Sequence, residues 1–236
     1  MVAEQQTQSA DDAVESFEVR AIAVERLTFF ADAVIAIAIT LLALDLPVPT
    51  GETTNRDLLH FANLHREEYI AFLVSFAVIG AYWQSHHRVF RYVTAQGGHI
   101  VRLTMLWLLM QVIMPFATRV LTGDGAFQTR FIFYASVQVI TSTIFILTVN
   151  EVRRHKLVRA DTPPGLLRET SWRSAFLAAA FLISIPVSFV GEAPAYGCWI
   201  VVPQAAGAIY RLRRRQRATA SRWPAPRRAG RRSTRS

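Results

Sequence analysis

The sequence predicts an all-α integral membrane protein that crosses the bilayer six times, with both ends on the inner side. Three observations carry this. Apolar residues make up 52% of the chain and fall in long runs rather than in the short periodic segments of a soluble core. Proline, glycine and charge clusters divide those runs into spans of about 27–46, 69–90, 99–121, 126–149, 174–190 and 194–210. Basic residues segregate between the connecting segments: with the N-terminus inside, the inner segments carry 22 Lys and Arg and the outer ones 4, or 11 against 4 without the C-terminal tail. An excess of basic residues marks the cytoplasmic side.

Residues 1–18 are polar and acidic, with no basic stretch ahead of an apolar core, and read as a disordered segment with no evident signal peptide. The first span runs for twenty residues from Leu27 to Leu46. At about 1.5 Å per residue that matches a hydrocarbon core of about 30 Å. Pro47 and Pro49 stop it, and residues 47–66 read as a polar loop with Gly51, Asn55, Arg56 and Asp57. The second span is apolar to Trp83 and ends in Trp-Gln-Ser-His-His-Arg, the mixture expected at a membrane interface. The third carries Pro115 near its end, and the fourth follows the Gly123-Asp124-Gly125 turn. A basic loop over 150–173, broken by Pro163-Pro164-Gly165, precedes the last two spans. These form a hairpin about Gly191, and Pro186 and Pro203 are expected to kink them.

Residues 19–212 thus form one transmembrane domain, and 213–236 an Arg-rich cytoplasmic tail. The net charge of +9 belongs to that tail, because residues 211–236 hold eleven arginines and no acid. Directly after a membrane span, such a tail is expected to lie on anionic lipid headgroups rather than on nucleic acid. A single cysteine, Cys198, excludes an internal disulfide framework and a cysteine-based metal site.

Asp32 is the odd residue of the first span, since a carboxylate within the bilayer costs about 2.5–3.5 kcal/mol on insertion scales. On a wheel of about 100° per residue, Ile37, Thr40, Leu41 and Leu44 share an arc of about 100°, whereas Asp32 lies about 140° from Ile37 among Ala36, Ile39 and Ala43. The alanine-rich face suits close packing on another helix, and the acid there needs a partner such as Arg26, a His or Trp donor, or a Thr hydroxyl. On pattern alone, the Ile37 face meets lipid or a neighbouring helix. His86 and His87 point about 100° apart and do not form a joint metal site; a bond from one of them to Asp32 or to a backbone carbonyl is the simpler expectation. No HExxH, GxSxG or paired acids support an enzyme. Two further readings are a proton-coupled carrier relaying through Asp32 and His86, and a non-conducting membrane scaffold docking by its tail.

The residues Arg26-x-x-x-Phe30-Ala31-Asp32, the following Ala/Ile/Leu run closing in Leu44-Asp45-Leu46-Pro47, and Tyr82-Trp83-x-x-His86-His87-Arg88 with Met114-Pro115-Phe116-Ala117-Thr118 resemble the prokaryotic branch of the transmembrane-protein-175 family of potassium channels. The resemblance covers about residues 20–120. It implies six helices per subunit with both termini cytoplasmic, and a homotetramer in the cell membrane whose central pore is lined by the first helix. It further implies an apolar constriction matching Ile37, Leu41 and Leu44, with Thr40 matching the hydroxyl layer tied to potassium preference. No cofactor beyond the permeating potassium ion is implied. A structural polar network would match Arg26, Phe30, Asp32, Trp83 and His86. Ala31 stands where the family has Ser, and Thr104 near an expected Asn; both remove hydrogen-bonding capacity around Asp32.

Overall fold

The computed structural model describes residues 2–51, 54–199 and 201, with side chains from residue 18 onward. Neither proline nor glycine occurs before Pro47, so nothing interrupts helix formation. The first helix, α1, accordingly runs from Val2 to Leu44. The segment expected to be disordered up to residue 18 is therefore a helical extension of the first span: its Ala, Glu and Gln are good helix formers, and it joins an already nucleated helix.

The loop expected over 47–66 is corrected by a short helix, α2, Asn55–Leu64. Its cause is a capping box. The Asp57 amide donates to Thr54 Oγ1, and the Asp57 carboxylate accepts from the Thr54 amide at 2.9 Å. The hydrogen bond from the Thr54 hydroxyl, followed by that from its backbone, holds the Asp57 carboxyl below the usual carboxylate range. Polar composition hid this element, although the Thr54-x-x-Asp57 spacing is its signature.

Helices α3 (Arg66–Phe90), α4 (Ile100–Thr122), α5 (Phe127–Arg154) and α6 (Leu166–Val187) follow. The fifth span thus starts eight residues before the expected 174, within the supposed basic loop, and stops just after Pro186. Residues 192–199 begin another helix; the rest of the expected sixth span, Pro203 and the Arg-rich tail lie outside the described residues. Among the described residues, four helices are long and apolar enough to cross a membrane: Glu18–Leu44 of α1, α4, α5 and α6. The charged ends of α3 dilute its apolar middle, though its 25 residues have the length to cross.

α5 sits at the centre, packed on α4 and on α6, while α1 lies against α3 and α4. The helices are held by apolar packing plus a few hydroxyl contacts. Ser75 Oγ and the Tyr134 hydroxyl are 3.0 Å apart, the Thr118 hydroxyl is 2.8 Å from Ser75 Oγ, and the Tyr82 hydroxyl is 2.7 Å from Ser142 Oγ. Such interhelical bonds contribute about 0.6 kcal/mol each in a membrane, so their main effect is to set register.

The loops at one end of the bundle clasp each other. Val93 pairs with Val158 in an isolated antiparallel bridge, the Thr94 amide donates to the Leu157 carbonyl (3.0 Å), and the Arg159 amide to the Tyr92 carbonyl (2.9 Å). Beside them Glu151 accepts from the His99 amide at 3.1 Å. Gly98 makes this turn with φ +58°, and a Cβ there would run into the Glu151 carboxylate. Gly98→Ala should therefore destabilise the fold by about 2 kcal/mol, lowering the melting temperature in detergent by about 4–8 °C. A melt unchanged from the parent protein would show that the clasp yields freely.

Candidate functional site

α1 has one face turned into its own subunit and one left free. Val24, Leu27, Ala31, Ile35, Ala38 and Leu42 are buried, at spacings of three and four, against α3 and α4. Ala31 and Ala38 carry only a methyl group at the seam, which lets the helices approach closely.

The opposite face holds Ile37, Thr40, Leu41 and Leu44, brought together as the wheel expects and all exposed within the subunit; Ile37 is 59% accessible and Leu44 78%. Thr40 Oγ1 donates to the Ile37 carbonyl at 2.8 Å. Its proton is thereby turned into the helix, and the oxygen lone pairs are what the hydroxyl presents outward. The face is otherwise apolar.

Asp32 lies on the flank of α1, half-buried, and Oδ1 accepts a hydrogen bond from Trp83 Nε1 at 2.9 Å. The indole also stacks on His87, with ring centroids 5.7 Å apart. A charge-assisted bond from an aromatic N–H keeps the carboxylate tolerable at an apolar helix contact and pins α1 to α3.

The rest of the expected network is not assembled. His86 is buried and faces the core, with its ring between Phe90 (4.0 Å between centroids) and Trp107 (4.8 Å, interplanar angle 5°). Neither ring nitrogen has a hydrogen-bond partner among the described residues, so neither the bond to Asp32 nor an Asp32–His86 relay is formed. Sequence spacing places Trp83 and His86 on adjacent strips of α3 but cannot reveal that Trp107, from another helix, takes the histidine. Arg26 is exposed and has no ion pair among the described residues. Six residues separate it from Asp32, which is about 9 Å along the axis and about 120° around it. Phe30 is exposed, on the free side of α1 rather than in a buried network.

Thr104 is buried without a partner for its hydroxyl among the described residues. It shares a face of α4 with Trp107 and Gln111, whose indole N–H and amide atoms are likewise unpartnered there. This buried polar strip was not anticipated. Its one sequence signal is polar residues recurring at three- and four-residue spacing within an apolar span.

Residues 26–115 match the family described as Endosomal/lysosomal potassium channel TMEM175. A Streptomyces collinus protein named a potassium channel is 33% identical over 172 residues, covering 70% of this chain and 82% of that relative. A Chryseobacterium protein of the same description is 26% identical over 182 residues, covering 75% of this chain and 88% of its own. Among solved structures, that of a lysosomal potassium-selective channel TMEM175 homolog from Chamaesiphon minutus is similar with a TM-score of 0.62, over 79% of this chain and 97% of that one, at 24% identity. At that identity the likeness is one of fold. The coverage and identity of the Streptomyces relative, together with the match over the first-helix motif, establish that this chain belongs to the TMEM175 family.

Proposed function

We propose that the protein is a potassium-favouring cation channel of the cell membrane, a homotetramer with six spans per subunit and both termini cytoplasmic. The observation that carries this reading is the partition of α1, whose free face is a continuous apolar strip broken by one hydroxyl. Four copies of that strip around an axis make a narrow pore.

Rings of Ile37, Leu41 and Leu44 form its constriction. Branched side chains at that radius gate by excluding water and by steric fit, without a carbonyl filter. Thr40 supplies a ring of oxygen lone pairs, the one feature of the strip that can replace part of an ion's hydration shell. Asp32 does not touch the ion; with Trp83 it holds the rotation of α1 that aims the strip at the axis. α3 and the helix starting at 192 supply the second and sixth spans, and the Arg-rich tail rests on anionic headgroups.

Flux through the protein in liposomes tests the pore directly. Leu41→Ala and Ile37→Asn should widen or wet the constriction and raise potassium flux severalfold. Thr40→Val should weaken the preference for Rb⁺ over Na⁺ by about fivefold, as expected for losing about 1 kcal/mol of differential coordination. Unchanged flux and preference in all three variants would remove α1 from the pore.

The Trp83 contact predicts a separable phenotype. Trp83→Phe leaves the Asp32 carboxylate without its donor and should lower stability by about 1–3 kcal/mol. Asp32→Asn keeps a neutral acceptor, should lose less, and should still conduct. A carrier using Asp32 as its proton site would instead lose all transport in that variant.

Native mass in mild detergent checks the assembly. A species of four chain masses is expected, and a monomer that nevertheless conducts would refute the axial pore.

A further inference from the structure

A cavity of about 540 Å³ opens among α3, α4, α5, α6 and residues 192–199, and among the described residues none of α1 lines it. It lies at the end of the bundle where α3 and α5 begin and α4 ends, opposite the clasped loops. Its volume falls within the range of small-molecule sites. The walls are apolar, including Val74, Val78, Phe181 and Trp199.

Among the described residues, the charged side chains lining it are two cations and two anions: Arg66, Arg130, Glu67 and Glu192. Arg66, Glu67 and Glu192 are exposed, so they stand at the mouth rather than the floor. They are not consumed by one another: none has a hydrogen bond or ion pair among the described residues. Arg130 donates Nη1 to the Leu121 carbonyl at 2.6 Å, while its buried Nε has no partner among the described residues.

An apolar chamber at the end of a membrane helix bundle, with balanced charges at its rim, has the chemistry of a lipid site. We propose that it holds an acyl chain of one phosphatidylethanolamine per subunit, with the phosphate on Arg66 and Arg130 and the ammonium on Glu67 and Glu192. The charge pattern selects the headgroup. A fatty acid or an anionic phospholipid would satisfy the arginines and set its charge against two carboxylates that have no ion pair among the described residues. A primary ammonium donates hydrogen bonds to those carboxylates, which a quaternary choline lacks the N–H groups to do. The site is separate from the proposed pore face, so its failure would leave the channel reading standing.

The experiment uses the full-length protein in nanodiscs of phosphatidylethanolamine, phosphatidylcholine or phosphatidylglycerol, followed by native mass spectrometry of the lipid that stays bound. One phosphatidylethanolamine per subunit should be retained, about fivefold or more in preference to either other lipid. Glu192→Gln should reduce that retention about fivefold, and the Glu67→Gln/Glu192→Gln pair further. Neither glutamate has an ion pair or side-chain hydrogen bond among the described residues, and each loses only the interaction of a first-turn acid with its helix, so the lipid-free protein should melt within a few degrees of the parent. Val74→Trp, which fills the chamber, should abolish retention while leaving the headgroup residues in place. Equal retention of all three lipids overturns the proposal. So does retention of phosphatidylethanolamine that survives both Glu192→Gln and Val74→Trp.

Discussion

In the proposed channel, the Trp83 indole bound to the Asp32 carboxylate sets the rotation of α1, and the placement of the free face depends on that rotation. The buried seam of α1 is thin, with alanine at two of its central positions, and apolar packing of so few atoms resists sliding better than turning. A hydrogen bond on the flank resists turning. If α1 were rotated by one residue, about 100°, branched side chains of the free face would be driven into the alanine seam and the methyl groups of the seam would face outward. Keeping an acid in an apolar helix at a cost of a few kcal/mol is reasonable where the return is orientational.

The body of the subunit keeps its polar groups for alignment as well. Tyr82, Tyr134, Ser75, Thr118 and Ser142 meet in the middle of the bundle, where each finds another helix rather than water. Hydrocarbon leaves an unsatisfied hydroxyl no alternative, so the pairs act as register marks between α3, α4 and α5. The strip of His86, Thr104, Trp107 and Gln111 departs from this pattern: its side-chain nitrogens and oxygens are buried without a hydrogen-bond partner among the described residues, and the His86 and Trp107 rings stack.

Much of this was legible in the residues. Long apolar runs specify α1, α4 and α5 almost by length alone, only α4 carrying a proline (Pro115), and the 3.6-residue period sorts α1 into its two faces before any contact is known. The Asp32 partner was legible as a class, since Trp was among the possible donors, but not as the indole of Trp83 in particular. One error came from reading composition where spacing mattered, since Thr54 and Asp57 announced α2; and of the partners open to Asp32, the six-residue separation already disfavoured Arg26. The burial of His86 under Trp107 had no local signal, because it is a meeting of two helices about twenty residues apart in sequence.

The unbroken backbone of α1 has a mechanical consequence. Its 43 residues form a rod about 65 Å long with neither proline nor glycine to act as a joint. A rod of that kind transmits thrust and twist and absorbs little of either by bending. A load applied at its N-terminal quarter arrives at Ile37 and Leu41 as axial shift or torque, after passing the Gln96 bond to the Ala23 carbonyl and then the indole–carboxylate latch.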